Sequence, residues 1–325
     1  MPTYEVNPLM FRLLFLGLAF LVLPATAAAR DLGPLASVDA VAAHKDDADV
    51  VLLDIRSAID GGDRATFEAG HIPGAVYSSY TEAGWRQDAD GVPGLLPDPA
   101  DLERLIGALG IDNDTHVVVV PAGKDSTDFG SAARIYWTFR VLGHDDVSIL
   151  NGGYQAWIDA GNDIATGWNE PDAATFTADF RPELVAEADD VAAAREAGVQ
   201  LVDNRPGAQF RGEEAHPAAR AAGTIPGALN LEHSALTDEG TAFFVDDAVV
   251  RELMGQVDIA SGERTITFCN TGHWAALGWF ALSEVAGESD VAMYDGSMTD
   301  WANDDSRPLQ TARSGLGAVI DWLFN

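Results

Sequence analysis

Thr265-Ile266-Thr267-Phe268-Cys269-Asn270-Thr271-Gly272-His273-Trp274-Ala275-Ala276-Leu277 decides how the rest of the chain is read. The first four residues are an apolar, β-branched run of strand character, and the stretch after Gly272 has the composition of a helix. A strand, a short glycine-containing loop and a helix N-terminus together make an anion cradle. The first N–H groups of a helix have no intrahelical partner, and the positive end of its dipole lies behind them. Cys269 stands at the mouth of this loop, where a thiolate is stabilised and reactive. It is the only cysteine in 325 residues. A lone cysteine is more often a small buried hydrophobe. The flanking pattern moves the reading to a nucleophile.

Outward from this stretch the same landmarks occur twice. Val51-Leu52-Leu53-Asp54-Ile55-Arg56 reads as a buried strand ending in Asp-x-Arg, and Gln200-Leu201-Val202-Asp203-Asn204-Arg205 repeats it. His71-Ile72-Pro73-Gly74-Ala75-Val76 recurs as Thr224-Ile225-Pro226-Gly227-Ala228-Leu229. The run from Val117 to Val120 corresponds to Thr265 to Phe268. Asn151-Gly152-Gly153 with Trp157 corresponds to Asp295-Gly296-Ser297 with Trp301. Landmarks recurring in one order indicate a duplicated domain. Within each copy short apolar strands alternate with helical patterns. The expected fold class is therefore α/β, with two tandem domains, each a mainly parallel sheet flanked by helices. Ser37 marks one helix start, and Pro99 with Asp101 marks another. The expected boundaries are 1–29 for a signal peptide, 31–167 for the N-terminal domain and 176–325 for the C-terminal domain. The linker falls around Thr166 to Ala178, where Gly167, Pro171 and Asp172 interrupt the periodicity.

From about Val38 to Trp301 the chain resembles the rhodanese family of sulfurtransferases in its tandem two-domain form. The marks are the Asp-x-Arg strand end, the Ile-Pro-Gly-Ala turn, the Cys269 loop and the late Gly-Gly or Gly-Ser element before Trp157 and Trp301. The resemblance implies a catalytic C-terminal rhodanese domain and an inactive N-terminal one. The residues agree, since Pro121 occupies the position of Cys269 and has neither a thiol nor a backbone N–H. The loop from Pro121 to Gly130 reads as about four residues longer than its counterpart. The implied chemistry is transfer of sulfane sulfur from thiosulfate or a related donor, through a Cys269 persulfide, to cyanide or a thiol. The implied partners are thus a small sulfur-donor anion and a small acceptor, with no cofactor and no metal. A non-catalytic persulfide carrier needs the same loop and stays open, as does a 3-mercaptopyruvate-specific enzyme. A cysteine phosphatase would need an arginine closing the loop onto phosphate. Here the sixth residue after Cys269 is Ala275.

In this reading the N–H groups from Asn270 to Trp274, through Thr271, Gly272 and His273, hold the thiolate, the persulfide and the donor. His273 either supplies positive charge to the donor, protonates the leaving group, or is a loop residue exposed to solvent. Arg205 reads as a structural ion pair with Asp203, with a substrate-facing role as the other possibility. Trp274 and Trp279 belong either to the pocket wall or to the core. Asn230 and His233, after the second turn, are candidates to line the cleft.

Lys and Arg total 19 against 51 Asp and Glu, a formal charge of −32 that disfavours nucleic acid and anionic membrane surfaces as partners. Arg12, the apolar run Leu13 to Leu23 and the small residues Ala25 to Ala29 have the layout of a secretory signal, and the run is too short to span a bilayer. The expected location is periplasmic or secreted, without stable membrane association after cleavage. A single cysteine in an exported chain is a free thiol with no resolving partner, so its sulfur must leave to an external acceptor. N-terminal sequencing of the protein from its source should find a first residue between Ala28 and Asp31. A chain still starting at Met1 would remove the export reading.

Overall fold

The computed structural model describes residues 1–3, 32–168 and 170–311, so all but the first three residues of the expected signal segment lie outside the described residues. The first repeat opens with β1 (Leu35–Ala36), α1 (Val38–His44), β2 (Val50–Asp54), α2 (Arg64–Ala69) and β3 (Val76–Tyr77). A small antiparallel hairpin follows, β4 (Gln87–Ala89) and β5 (Val92–Leu95). The repeat closes with α3 (Pro99–Ala108), β6 (His116–Val120), α4 (Ser126–Val141), β7 (Val147–Leu150) and α5 (Gly153–Asp159). The second repeat begins with β8 (Val185–Ala186), α6 (Ala188–Ala197), β9 (Gln200–Asp203), α7 (Gly207–Phe210) and β10 (Leu229–Asn230). It ends with α8 (Asp247–Gln256), β11 (Thr265–Phe268), α9 (His273–Phe280), β12 (Val291–Tyr294) and α10 (Ser297–Trp301).

The expected duplication is present in the topology. One sheet runs β1-β7-β6-β2-β3 and the other β8-β12-β11-β9-β10, with every pairing parallel. β6 and β11 are the central strands and are buried along their whole length, as Val117 to Val120 and Thr265 to Phe268 should be in a sheet covered on both faces. Their carboxyl ends carry Pro121 and Cys269, the place where ligand loops form in parallel sheets. Ser37 caps α1 by accepting from the Ala40 N–H. The second helix start lies slightly earlier than the sequence reading, because Asp98 is the cap of α3 and Pro99 is its first residue.

Helix α4 explains why the repeats form one body. All its residues but Thr127 and Arg140 are buried, including polar ones. One side packs on the first sheet and the other lies along α9. A helix enclosed on every side belongs to the interior of a larger unit. Phe129 lies 4.9 Å from Phe244 and 5.7 Å from Phe280, and Tyr136 meets Phe280 edge-on at 5.0 Å. The main apolar core accordingly includes residues of both repeats, from Leu53 to Met293. Gly130 makes the close approach possible, since a Cβ there would fall 2.9 Å from the His273 ring. Among the described residues no helix is long and apolar enough to cross a membrane.

A shared core of this kind predicts one unfolding transition for the two repeats. Phe280→Ala should cost about 3–5 kcal/mol and lower that single midpoint without splitting it, as followed by urea unfolding. Expression of 176–325 alone should give an insoluble or inactive fragment; a soluble, monomeric and fully active fragment would contradict the shared core.

Candidate active site

Cys269 follows β11 and is 1 % exposed. Gly272 caps α9 at φ +70° and offers no side chain to the first helical N–H groups. A Cβ at Gly272 would also stand 2.7 Å from the Asp295 carbonyl, so both conformation and space demand glycine. The loop is braced from the start of α10. Ser297 Oγ accepts from the N–H groups of Cys269 (3.0 Å) and Gly272 (3.1 Å) and donates to the Tyr294 carbonyl (2.8 Å). The carbonyls of Cys269 and Asn270 accept from the N–H groups of Met298 and Thr299, each at 3.0 Å. Ser297 sits at φ +51°, a conformation that costs a non-glycine residue about 1–2 kcal/mol. Gly153 takes the same place in the first repeat at φ +61°. Strain held at one repeat and avoided at the other marks where the hydroxyl is needed.

The residues expected to line the site divide. Asn270 donates through Nδ2 to Gln209 Oε1 at 2.8 Å, and its main chain is pinned to Thr299. Thr271 and Gly272 present their carbonyls to arginines of the other repeat. His273 is buried. Its Nε2 lies 2.8 Å from the Thr127 carbonyl, which can only accept, so Nε2 carries the proton and Nδ1 accepts from the Tyr80 hydroxyl at 2.9 Å. Burial, with Arg86 and Arg134 near, pushes its pKa down to about 3. His273 is therefore neutral, and the expectation that it is a cation or an exposed loop residue is corrected by this enclosure. Trp274 stacks on His233 at 4.1 Å and donates to Thr127 Oγ1, while Trp279 is core and donates to the Val291 carbonyl. Arg205 forks onto both oxygens of Asp203 and reaches the Gly223 carbonyl at 2.8 Å. Arg56 makes the same set with Asp54 and Gly70, so this guanidinium geometry belongs to the repeated strand end. Asn230 donates to the carbonyls of Asp203 and Arg205.

Four first-repeat residues that the sequence reading passed over touch the Cys269 loop or its helix. They are Tyr80, Arg86, Thr127 and Arg134. Arg86 Nη2 donates to the Thr271 carbonyl at 2.6 Å, and Arg134 Nη1 to the Gly272 carbonyl at 3.1 Å. Their separation in sequence from Cys269 hides them, and no local motif surrounds them. Ser297 was visible as the one polar substitution in the repeated Gly-Gly element.

The first repeat holds the corresponding loop, occupied from within. Asp128, 2 % exposed, accepts from the N–H groups of Ala122, Gly123 and Lys124 at 3.0, 2.5 and 2.9 Å. Its own carboxylate thus fills the cradle that Pro121 leaves without a nucleophile, and burial raises its pKa to about 6. The loop is also shorter than expected. Three residues, 122–124, separate Pro121 from the helix cap Asp125, against two, 270–271, between Cys269 and its cap Gly272. Gly130 lies inside α4, so the excess is one residue rather than four.

Two outcomes follow from this geometry. Pro121→Cys should give no second reactive thiol towards iodoacetamide in the folded protein, because Asp128 already takes the N–H groups. For His273 the folded pKa lies below the unfolded one, so its contribution to stability is present above pH 6.5 and lost as pH falls towards 3. Between pH 6.5 and 5 the wild type should lose about 1.5 kcal/mol more stability than His273→Gln in urea unfolding. Equal losses would place a charged imidazole in the folded state.

The rhodanese-like domain model matches residues 37–160 and again 187–304. The chain is 32 % identical over 243 residues to the thiosulfate sulfurtransferase of Gallus gallus, covering 73 % of this chain and 80 % of that one. It is 33 % identical over 242 residues to the thiosulfate sulfurtransferase of Bos taurus, covering 71 % and 77 %. Among solved structures it is similar to SseA from Escherichia coli, described as a 3-mercaptopyruvate sulfotransferase. The TM-score is 0.72 at 29 % identity, over 82 % of this chain and 98 % of that one. Two matched domains, two sheets of one topology and a cysteine loop on the second make this chain a member of the rhodanese family.

Proposed function

We propose that the protein is a sulfurtransferase in which Cys269 of the second repeat, 176–325, carries sulfur as a persulfide and the first repeat, 31–167, supplies surface and support. The observation that carries this reading is the seat of Cys269. It stands between the end of β11 and a helix N-terminus with no side-chain cap, in a loop whose carbonyls and two of whose N–H groups are already tied down. The remaining N–H groups are free to serve sulfur. With thiosulfate as donor, the thiolate attacks the outer sulfur and a Cys269 S–S bond forms. The S–S bond of thiosulfate breaks, and sulfite leaves with its electron pair. Cyanide or a thiolate then takes the outer sulfur and returns the thiolate. Asn270, Thr271, His273 and Trp274 contribute main-chain N–H groups to the site, and Gly272, whose N–H goes to Ser297, contributes the turn that presents them. His273 itself is neutral and turned towards Tyr80 and Thr127, so it brings the donor no cation.

The burial of Cys269 favours small acceptors over a carrier role, since a carrier must present its sulfur to a protein partner. The names of the relatives divide between thiosulfate and 3-mercaptopyruvate as donor. Thiosulfate is the donor proposed here, acting in an exported protein, and a side-by-side assay of the two donors decides.

Cys269→Ser should lower thiocyanate formation from thiosulfate and cyanide by at least a hundredfold, with the unfolding midpoint within a few degrees of wild type. Wild type treated with thiosulfate should gain one sulfur, about 32 Da, on the Cys269 peptide. Turnover surviving in the serine variant would take Cys269 out of the mechanism.

A further inference from the structure

Arg134 projects from α4, in the first repeat, and is 0 % exposed. Its guanidinium stacks over the Trp137 ring of the same helix at 4.7 Å, and its polar partners lie around the Cys269 loop. Nη1 donates to the Gly272 carbonyl at 3.1 Å, and Nη2 stands 2.5 Å from Asp295 Oδ1 and 3.3 Å from the Gly94 carbonyl on β5. Asp295 in turn accepts from the Leu96 N–H through Oδ2 at 2.6 Å and begins the Asp-Gly-Ser element that delivers Ser297 to the loop. One guanidinium therefore grips both segments that shape the seat of Cys269, the loop itself and the brace beneath it. Arg86 adds a second grip on the Thr271 carbonyl.

We infer that Arg134 is a positioning residue for sulfur transfer: the first repeat reaches into the second and sets the Cys269 loop through the Gly272 carbonyl and Asp295. Stability alone accounts poorly for such a group. Burying a guanidinium is expensive, a buried ion pair is weak evidence of stabilisation, and Arg134 Nε has no partner at all. An arginine in this place makes sense if its fork is needed for geometry. Its hydrogen bond also polarises the Gly272–His273 peptide, whose N–H is the first of α9 and has no intrahelical acceptor. That N–H becomes a better donor to sulfur. The inference explains why the first repeat persists although Asp128 fills its own cradle.

The inference rests on Cys269 being the nucleophile, and two readouts keep the readings apart. The variant Arg134→Met with Asp295→Asn removes the ion pair without leaving a buried charge, and the new amide oxygen can still accept from Leu96. In the full chain it should fold with a circular dichroism spectrum like wild type. Its kcat with thiosulfate and cyanide should fall at least tenfold, with KM within about threefold, and alkylation of Cys269 by iodoacetamide at pH 7 should slow about tenfold. A folded double variant with kcat and alkylation both within twofold of wild type would overturn the inference. If the double variant fails to fold, Arg134→Lys takes its place. A single ammonium cannot fork onto Gly272 and Asp295 together, so kcat should fall at least fivefold, and wild-type rates would overturn the inference. Should wild type transfer no sulfur from either donor, the proposed function fails, while the alkylation rates still decide the role of Arg134.

Discussion

Helix α4 and helix α9 lie against each other in the centre of the molecule, and the site depends on that contact. It buries Phe129, Tyr136 and Phe280 in a core common to both repeats. It also places Thr127, Gly130 and Arg134 of α4 on the first turn of α9. Apolar packing supplies the stability, and the polar groups carried along by it supply the geometry. The glycine at position 130 permits this contact, because the His273 ring occupies the space a side chain would need.

The two repeats show how one backbone device serves two ends. Each has a loop between its central strand and a helix N-terminus, with N–H groups able to receive an anion. In the second repeat a cysteine precedes the loop and Ser297 braces it. In the first, proline replaces the cysteine, glycine replaces the serine, and Asp128 supplies an internal carboxylate. Buried N–H groups need acceptors, and where Pro121 offers no thiolate the Asp128 carboxylate closes the cradle. Burial keeps Asp128 costly, with its pKa near 6, yet three N–H groups hold it.

Charge near the site is arranged differently from what the loop sequence suggests. The one basic side chain in the loop, His273, is neutral, because burial, with Arg86 and Arg134 near, disfavours its protonation. Positive charge comes from Arg86 and Arg134, each placed on a loop carbonyl. A chain with a formal charge of −32 thus brings guanidinium groups to the loop of its only cysteine from the opposite repeat.

The alternation of strands and helices within each copy, the duplication, the glycine-containing loop at Cys269 and the absence of a thiol at Pro121 were readable from residues alone. They rest on short-range rules: apolar runs make strands, glycine permits φ above zero, and proline has no N–H. The paired Asp-x-Arg strand ends were equally open, since both partners lie two positions apart and recur as Asp54 with Arg56 and Asp203 with Arg205. The length of the Pro121 loop was misjudged because Gly130 resembled a loop residue, whereas packing against His273 is what selects glycine inside α4. Arg86, Tyr80, Thr127 and Arg134 could not be assigned in advance. Their role comes from contact between repeats, and sequence order carries no information about which helix face meets which loop until the apolar core has brought the two together.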